Sequence, residues 1–133
     1  MTKVVLDASA VLALLNAEPG ANEVESVLGQ AVISTVNVTE VFSRLLDWGM
    51  SPAEVEAVFA ALDLEQQAFD SVLCRRAAWL RSATRASGLS LGDRACLALA
   101  QSLAAPVLTT DRAWLAVAGE LQIDVRVIRP DSR

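Results

Sequence analysis

Residues 3–16 read KVVLDASAVLALLN, in which a short β-branched run, one aspartate and a run of alanine and leucine follow one another. Val4–Leu6 has the composition of a buried strand. Residues 8–16 have the composition of a helix, which Pro19 and Gly20 would end. Asp7 stands between the two. The stretch therefore predicts a strand that ends at an acid and turns directly into a helix.

The rest of the chain continues this alternation. Strands are predicted at residues 31–34, 107–109 and 125–128, with a weaker edge strand at 64–69, and helices at 21–28, 38–48, 52–62, 71–87, 92–104 and 112–119. Ser51 and Glu54 have capping-box spacing around Pro52. Parallel strands need crossover connections and read as continuous apolar runs. The predicted fold class is therefore α/β, a three-layer α/β/α sandwich around a parallel sheet.

Composition limits the class of protein. The chain has 133 residues, of which 53% are apolar and 20% charged, and this predicts one globular domain over residues 1–133. No apolar run approaches the ~20 residues that cross a bilayer, and the N-terminus reads directly into a strand. We therefore expect a cytoplasmic protein with no membrane contact.

The charge balance does not favour general nucleic-acid binding. The net charge is −5, whereas a nucleic-acid binder usually has a basic face. The basic residues are ten arginines and one lysine, Lys3. Arginine suits phosphate contacts and acidic protein partners, and it also serves as an ordinary surface charge. All three interpretations remain open.

The helical patterns predict which side chains are buried. Segment 92–104 is rich in alanine and leucine and is expected to be buried over most of its surface. Cys74 and Cys96 lie inside apolar helical patterns, and such thiols are more often small buried side chains than a disulfide or metal pair. On helix 71–87 the expected core contacts are Val72, Ala78, Trp79 and Ala83, with Arg75, Arg76 and Arg85 in solvent.

Four acids stand where parallel strands or the helices beside them meet one edge of the sheet. Asp7 and Asp111 end strands, and Glu40 and Asp93 are predicted in the first turns of helices. Ligands of open α/β sheets bind at the carboxyl ends of the strands. Each acid also has a simpler explanation as a helix cap or capping-box residue, worth typically ~1 kcal/mol.

The four acids together favour a metal site. Like charges ~4 Å apart repel by about 4 kcal/mol at an effective dielectric constant of 20, and a bound cation removes that cost. The chain has no histidine. Carboxylate oxygens without histidine or paired thiols select Mg²⁺ or Mn²⁺ over zinc. Asp7, Glu40, Asp93 and Asp111 are therefore the candidate metal ligands.

Four motifs resemble those of a known family. They are VLDASA at residues 5–10, TEV at 39–41, LGDRACLALA at 91–100 and LTTDR at 108–112. Together they resemble the PIN-domain ribonucleases, and in particular the VapC-type toxins of bacterial toxin–antitoxin pairs. The resemblance implies a four- or five-stranded parallel sheet and a Mg²⁺- or Mn²⁺-dependent endoribonuclease. It also implies a cognate VapB-type antitoxin, a homodimer and no nucleotide cofactor.

The resemblance assigns roles to particular residues. Asp7, Glu40, Asp93 and Asp111 match the family's acidic quartet, and Ser9 and Thr110 match hydroxyls that assist it. Asp7 and Asp93 are the first-choice metal ligands, while Glu40 and Asp111 bind directly or through water. Because the chain offers no histidine or activated cysteine, the nucleophile is expected to be water activated by the cation. The RNA products would carry a 5′-phosphate and a 3′-hydroxyl.

Three sets of residues that could contact substrate or a partner each have two interpretations. Arg44, Arg94 and Arg112 either reach substrate phosphate or neutralise neighbouring acids. Residues 36–64 either form a groove for an amphipathic antitoxin segment or hold two helices that pack on each other, through Val41, Leu45, Trp48, Val55, Val58, Phe59 and Leu62. Trp114, Leu115 and Val117 either contribute to a dimer or belong to the core.

Two other classes of function compete with a nuclease. A phosphoaspartyl enzyme or receiver domain would use Asp7 as its covalent nucleophile. The chain has Ser9 where the dehalogenase pattern needs a second aspartate, and its lysine is at position 3 rather than late in the chain. The other alternative is a non-catalytic acidic module that docks a basic antitoxin or an RNA-processing partner.

Overall fold

The computed structural model describes residues 2–129 of the chain. Its strands are β1 (Val4–Leu6), β2 (Ala31–Ser34), β3 (Glu65–Gln67), β4 (Val107–Thr109) and β5 (Val125–Val127). Its helices are α1 (Ala8–Leu15), α2 (Ala21–Val27), α3 (Thr35–Asp47), α4 (Pro52–Ala60), α5 (Ser71–Trp79), α6 (Arg81–Thr84), α7 (Leu91–Leu103) and α8 (Leu115–Leu121). Strand and helix alternate as predicted.

The five strands form one parallel sheet in the order β3-β2-β1-β4-β5. Successive side chains of a strand point to opposite faces, and here both faces are covered. Val5, Val32 and Val107 pack with α5, α7 and α8 on one face. Leu6, Ile33 and Leu108 pack with α1 to α4 on the other. The predicted three-layer α/β/α sandwich with a parallel sheet is confirmed.

The strand order of the sheet creates one crevice where a ligand can bind. The chain runs from β1 through β2 to β3 on one side, and then returns to add β4 and β5 on the other. The strand order therefore reverses between β1 and β4, and ligands bind at such a switch point. Asp7 follows β1 and Asp111 follows β4 closely, so both lie at this crevice.

Helix α3 begins at Thr35, three residues earlier than predicted. Its N-cap is Ser34, the last residue of β2, whose Oγ accepts a hydrogen bond from the Val36 N–H at 3.3 Å. The expectation that Glu40 lies in the first helical turn is therefore wrong, because Glu40 lies in the second. The alternative explanation of Glu40 as a capping-box residue is also wrong, since Asn37, three residues before it, lies inside the helix.

The helix predicted at 71–87 is broken at Leu80, and its buried face was predicted wrongly. The buried side chains are Leu73, Ala77, Leu80 and Thr84. Val72 is 62% exposed and Trp79 is 73% exposed, while Ala78 is exposed and Ala83 half-buried. Cys74 is exposed, contrary to prediction, and Cys96 is buried as predicted. The buried side chains Leu73, Ala77 and Leu80 pack with residues of α7, so the face toward α7 is adjacent to the predicted one.

Helices α3 and α4 pack on each other and on the sheet. Val41, Leu45, Val55 and Phe59 are buried, and the Phe42 and Phe59 rings meet edge to face at 5.1 Å. Most of the apolar side chains considered for a partner groove therefore belong to the core, while Leu46 and Trp48 remain exposed. Trp114 and Val117 are also core residues, and Leu115 is exposed.

Three local predictions are confirmed. Ser51 and Glu54 form the reciprocal capping box, with N···O distances of 3.2 and 2.8 Å. Strand β3 lies at the edge of the sheet, and α7 has seven buried residues. No helix in the described part of the chain combines the length and the apolar character that crossing a membrane requires.

Gly20→Ala is expected to destabilise the fold. Gly20 has φ of +96°, and a Cβ there would lie 2.4 Å from the backbone oxygen of Ile128. The backbone strain alone costs about 1–3 kcal/mol. Gly29→Ala is the matched control, because its Cβ would meet nothing within 4 Å. Urea unfolding should show a lower free energy of unfolding for Gly20→Ala alone, and equal midpoints for the two variants would contradict this explanation.

Candidate metal centre

Asp7 is a buried carboxylate that three side-chain and backbone donors hold in place. It is 5% exposed and is the N-cap of α1. Its Oδ1 accepts from the Ala10 N–H at 2.8 Å, and Ser9 Oγ lies 2.7 Å from Oδ1 and 2.9 Å from Oδ2. Thr109 Oγ1 donates to Oδ2 at 2.6 Å. Both oxygens of Asp7 are therefore oriented by the protein.

The pairing of β1 with β4 brings Thr109 to Asp7. Leu6 is paired with Leu108, so the next residues of the two strands, Asp7 and Thr109, lie side by side. Thr109 Oγ1 also accepts from the Asp111 N–H at 3.1 Å. Thr110 contributes its backbone N–H, which donates to Ser9 Oγ at 3.0 Å. The sequence prediction named Thr110 and missed Thr109, which only the strand register identifies.

Asp93 and Asp111 combine helix capping with a position at the site. Asp93 Oδ2 accepts from the Ser90 N–H at 2.9 Å, and Ser90 Oγ accepts from the Asp93 N–H at 3.1 Å, which completes a capping box on α7. Asp111 Oδ1 accepts from the Ala113 N–H at 2.9 Å. Each cap uses one carboxylate oxygen and leaves the other. The capping explanation and the metal explanation are therefore compatible.

Glu40 is positioned by two residues that the sequence analysis missed. Asn37 Nδ2 donates to Glu40 Oε1 at 2.8 Å and to the Gly92 carbonyl at 3.1 Å. Asn37 is 1% exposed, so this amide ties α3 to the first turn of α7 inside the protein. At Gly92 a Cβ would lie 2.2 Å from Glu40 Oε2. The one available signal was a glycine at the start of an alanine-rich helix, since the helix after β2 was predicted to begin only after Asn37.

The four predicted acids line one cleft of about 230 Å³. The cleft lies at the carboxyl edge of the sheet, as expected from the strand order. Arg44 is the one basic residue among the lining side chains, and Arg94 instead donates to the Ala77 carbonyl at 3.2 Å. The lining residues are Asp7, Ala8, Ser9, Leu12, Asn37, Glu40, Arg44, Asp93 and Asp111.

Burial dominates the electrostatics of the cleft. Burial raises the pKa of Asp7 from 3.8 to about 6, hydrogen bonds from Thr109, Ser9 and Ala10 oppose the rise, and the charge of Asp93 adds to it. Burial also raises the pKa of the Cys96 thiol well above its usual value, helped by Asp7, Asp93 and Glu40. Cys96 therefore remains a neutral core side chain below the acids and is no candidate ligand.

The donor chemistry fits a hard divalent cation. Besides four carboxylates, the cleft contains Asn37, whose buried Oδ1 has no hydrogen-bond partner within residues 2–129. Oxygen donors of this kind suit Mg²⁺ or Mn²⁺. In the described part of the chain no three acidic or thiol groups lie close enough together to hold an ion by themselves.

The comparisons with known families decide the family. The family model of the PIN domain matches residues 4–120. The chain belongs to the PIN-domain family. PIN domains are generally nucleases, and they typically use divalent metal ions. This membership removes the phosphoaspartyl alternative. No curated protein matches the sequence at a significant level.

Solved structures of toxin–antitoxin complexes have the same PIN-domain fold. A DNA-bound VapBC from Salmonella typhimurium matches with a TM-score of 0.73 and 19% identity over 95% of this chain and 98% of that one. A toxin–antitoxin complex from Klebsiella pneumoniae matches with a TM-score of 0.73 and 17% identity over 97% of this chain and 100% of that one. VapBC2 from Rickettsia felis, bound to a promoter DNA fragment, matches with a TM-score of 0.75 and 14% identity over 98% of this chain and 100% of that one. Identities this low establish similarity of fold.

Gly92→Ala is expected to impair metal binding with little effect on stability. The new Cβ would displace the Glu40 carboxylate, which is the flexible end of a side chain and can move without disturbing the core. We expect Mn²⁺ affinity, measured by calorimetry, to fall roughly 10-fold or more. Gly119→Ala, where a Cβ meets nothing within 4 Å, is the control. Unchanged Mn²⁺ affinity in Gly92→Ala would show that Glu40 is not a ligand.

Asp7→Asn is expected to stabilise the metal-free protein at neutral pH. Because the pKa of Asp7 is raised on folding from 3.8 to about 6, the folded state binds the extra proton in this window. The free energy of unfolding should therefore fall as pH rises from about 4 to about 6, by up to about 3 kcal/mol, and stay lower above it. Denaturant titrations across pH should show this fall in the parent protein and in Asp47→Asn, but not in Asp7→Asn.

Proposed function

We propose that this chain is a Mg²⁺- or Mn²⁺-dependent endoribonuclease that acts as the VapC-type toxin of a toxin–antitoxin pair. One observation carries the proposal: Asp7, Glu40, Asp93 and Asp111, which lie far apart in the sequence, line a single cleft at the switch point of a PIN-domain sheet. Such a cleft repels the phosphates of RNA until a cation is bound.

The residues of the cleft prepare it for hydrolysis of an RNA phosphodiester. A bound divalent cation would make water a nucleophile at neutral pH and would neutralise charge on the phosphate. Ser9, Thr109 and the Ala10 N–H hold the Asp7 carboxylate in one orientation, and at pH 7 this group is largely ionised because its pKa is about 6. Asn37 and Gly92 hold Glu40 against α7.

The cleft offers neither a histidine nor an activated cysteine that could replace the activated water. The chain has no histidine, and the nearby Cys96 thiol is kept neutral by its raised pKa. Attack by water in place of the 2′-hydroxyl leaves a 5′-phosphate and a 3′-hydroxyl. The family motif predicts that two hydroxyls, those of Ser9 and Thr110, assist the acids. We propose both residues in this role.

The proposed partners follow from the fold and the charge. The solved structures that share the fold include toxin–antitoxin complexes, which supports a VapB-type antitoxin as the partner of this chain. A basic antitoxin segment in the acidic cleft would offset the same repulsion that a cation offsets. We further propose a cytoplasmic homodimer in which residues 1–133 act as one domain, with exposed Leu115 available for a subunit contact.

A non-catalytic acidic module is the second candidate. It is favoured by the hydrogen bonds that occupy both oxygens of Asp7 and one oxygen of each of the other three acids. It is also favoured by the absence of a preassembled three-ligand cluster within residues 2–129. Such a module would bind a basic antitoxin through the same four carboxylates and would cut nothing. Cleavage assays separate the two candidates.

Purified protein should cut total cellular RNA into discrete fragments when Mg²⁺ or Mn²⁺ is present and leave it intact with chelator. Asp93→Asn should lose at least about 100-fold in rate, because a ligand charge is gone while the capping oxygen remains. Asp47→Asn, an exposed acid of α3 outside the cleft, should cut like the parent. Gel electrophoresis measures the rate of cleavage, and end-group labelling identifies the ends of the products.

Two results would overturn the proposal. Cleavage that survives chelator or leaves 2′,3′-cyclic phosphates would exclude water activated by a cation. Absence of cleavage by folded protein free of antitoxin, with either metal, would favour the binding module.

A further inference from the structure

A second cleft continues from the acidic one. It has a volume of about 280 Å³ and shares Ser9, Leu12 and Arg44 with the acidic cleft, so the two form one continuous depression. Its remaining lining residues are Glu18, Trp48, Thr110 and Arg129. The character of the surface therefore changes within a short distance, from four carboxylates to two arginines and an indole.

Helix α3 produces this change along one face. Glu40, Arg44 and Trp48 are four residues apart, so they lie above one another on the helix, with about 6 Å between successive positions. Of the two readings left open for Arg44, an ion pair with Glu40 is not formed, and Glu40 instead accepts from Asn37. Within residues 2–129, the exposed side chain of Arg44 makes no hydrogen bond or ion pair. Its guanidinium is available to a ligand.

The charges of the second cleft suit an anion. Arg129 is paired with Glu18, so this pair is close to neutral and Arg44 supplies the net positive charge. This local charge contrasts with the net charge of −5 for the whole chain. Arginine binds phosphate oxygens through its planar fork of donors. The position of Arg44 between the clefts places that fork beside the acids proposed to cleave the chain.

Trp48 supplies the flat surface that a base needs. It ends α3 as the C-cap residue and is 44% exposed, whereas Trp114 is fully buried. Aromatic side chains stack on unpaired bases of single-stranded nucleic acid, and every base has a face to stack. A cleft of this size accommodates one base, while a helical protein segment requires a much larger interface.

We propose that the second cleft is a subsite for one unpaired nucleotide next to the bond that is cut, with Arg44 on its phosphate and Trp48 stacked on its base. The inference rests on the proposed nuclease function for its position, but it can be tested by binding alone. It explains how a strongly acidic protein can hold RNA, because recognition is concentrated beside the site of cleavage.

Binding should be measured with a short, unstructured, 5′-fluorescein-labelled oligoribonucleotide and fluorescence anisotropy, in an Asp93→Asn background that prevents cleavage. Trp48→Leu and Arg44→Gln should each raise Kd roughly fivefold or more, and Trp48→Phe should stay near the parent because it keeps a stacking ring. Trp79→Leu and Arg76→Gln are the matched controls. Both residues are exposed on α5, outside the two clefts.

Cleavage kinetics separate this proposal from the proposed function. With the Asp93 side chain intact, Trp48→Leu should raise KM by a similar factor and change kcat little. RNA cleavage with no Kd or KM difference between Trp48→Leu and Trp79→Leu would overturn the subsite and leave the nuclease standing. Binding that depends on Trp48 without any cleavage would support the subsite and overturn the nuclease. If Trp48→Leu weakens only antitoxin binding, the cleft is a protein site and the nucleotide proposal is wrong.

Discussion

The site depends on a negative charge held where water is largely excluded. Asp7 lies between β1 and β4, is 5% exposed, and is stabilised by the hydroxyls of Ser9 and Thr109 and by the first turn of α1. Burial raises the pKa of Asp7 to about 6 in spite of those donors. Above that pH the buried carboxylate is ionised, and this charge lowers the free energy of unfolding. In the proposed function a bound cation relieves this cost, and the other acids of the cleft share in holding it.

The same hydrogen bonds serve folding and the site. Asp7 and Asp111 are N-caps, and Asp93 completes the capping box of α7, all at the carboxyl edge of the sheet. Capping stabilises the helix by typically ~1 kcal/mol and also limits how the carboxylate can rotate. Because capping uses one oxygen of Asp93 and Asp111 and leaves the other, the residues need not be released from their structural role to bind an ion.

The surface around the acids bears on the conflict between the negative net charge of the chain and the RNA substrate that we propose. A chain with a net charge of −5 is repelled by polyanions at a distance. Along α3, however, an acid, an arginine and an exposed indole succeed one another on one face, and the two clefts that they line are continuous. Affinity would then come from stacking and one phosphate contact, and the net charge would exclude RNA that cannot enter the cleft.

The sequence by itself determined the order of strands and helices, the three-layer fold and which four acids line the cleft, because apolar periodicity, caps and strand ends are local properties of the chain. The start of α3 was misplaced, since Ser34 serves as both the end of β2 and the cap of the helix. Only the tertiary structure decided that Thr109 bonds Asp7, that Asn37 and Gly92 position Glu40, and that Leu73 and Ala77 face the core in place of Val72 and Trp79. Each of these depends on strand register or helix packing between segments far apart in the chain, and no local pattern encodes such contacts.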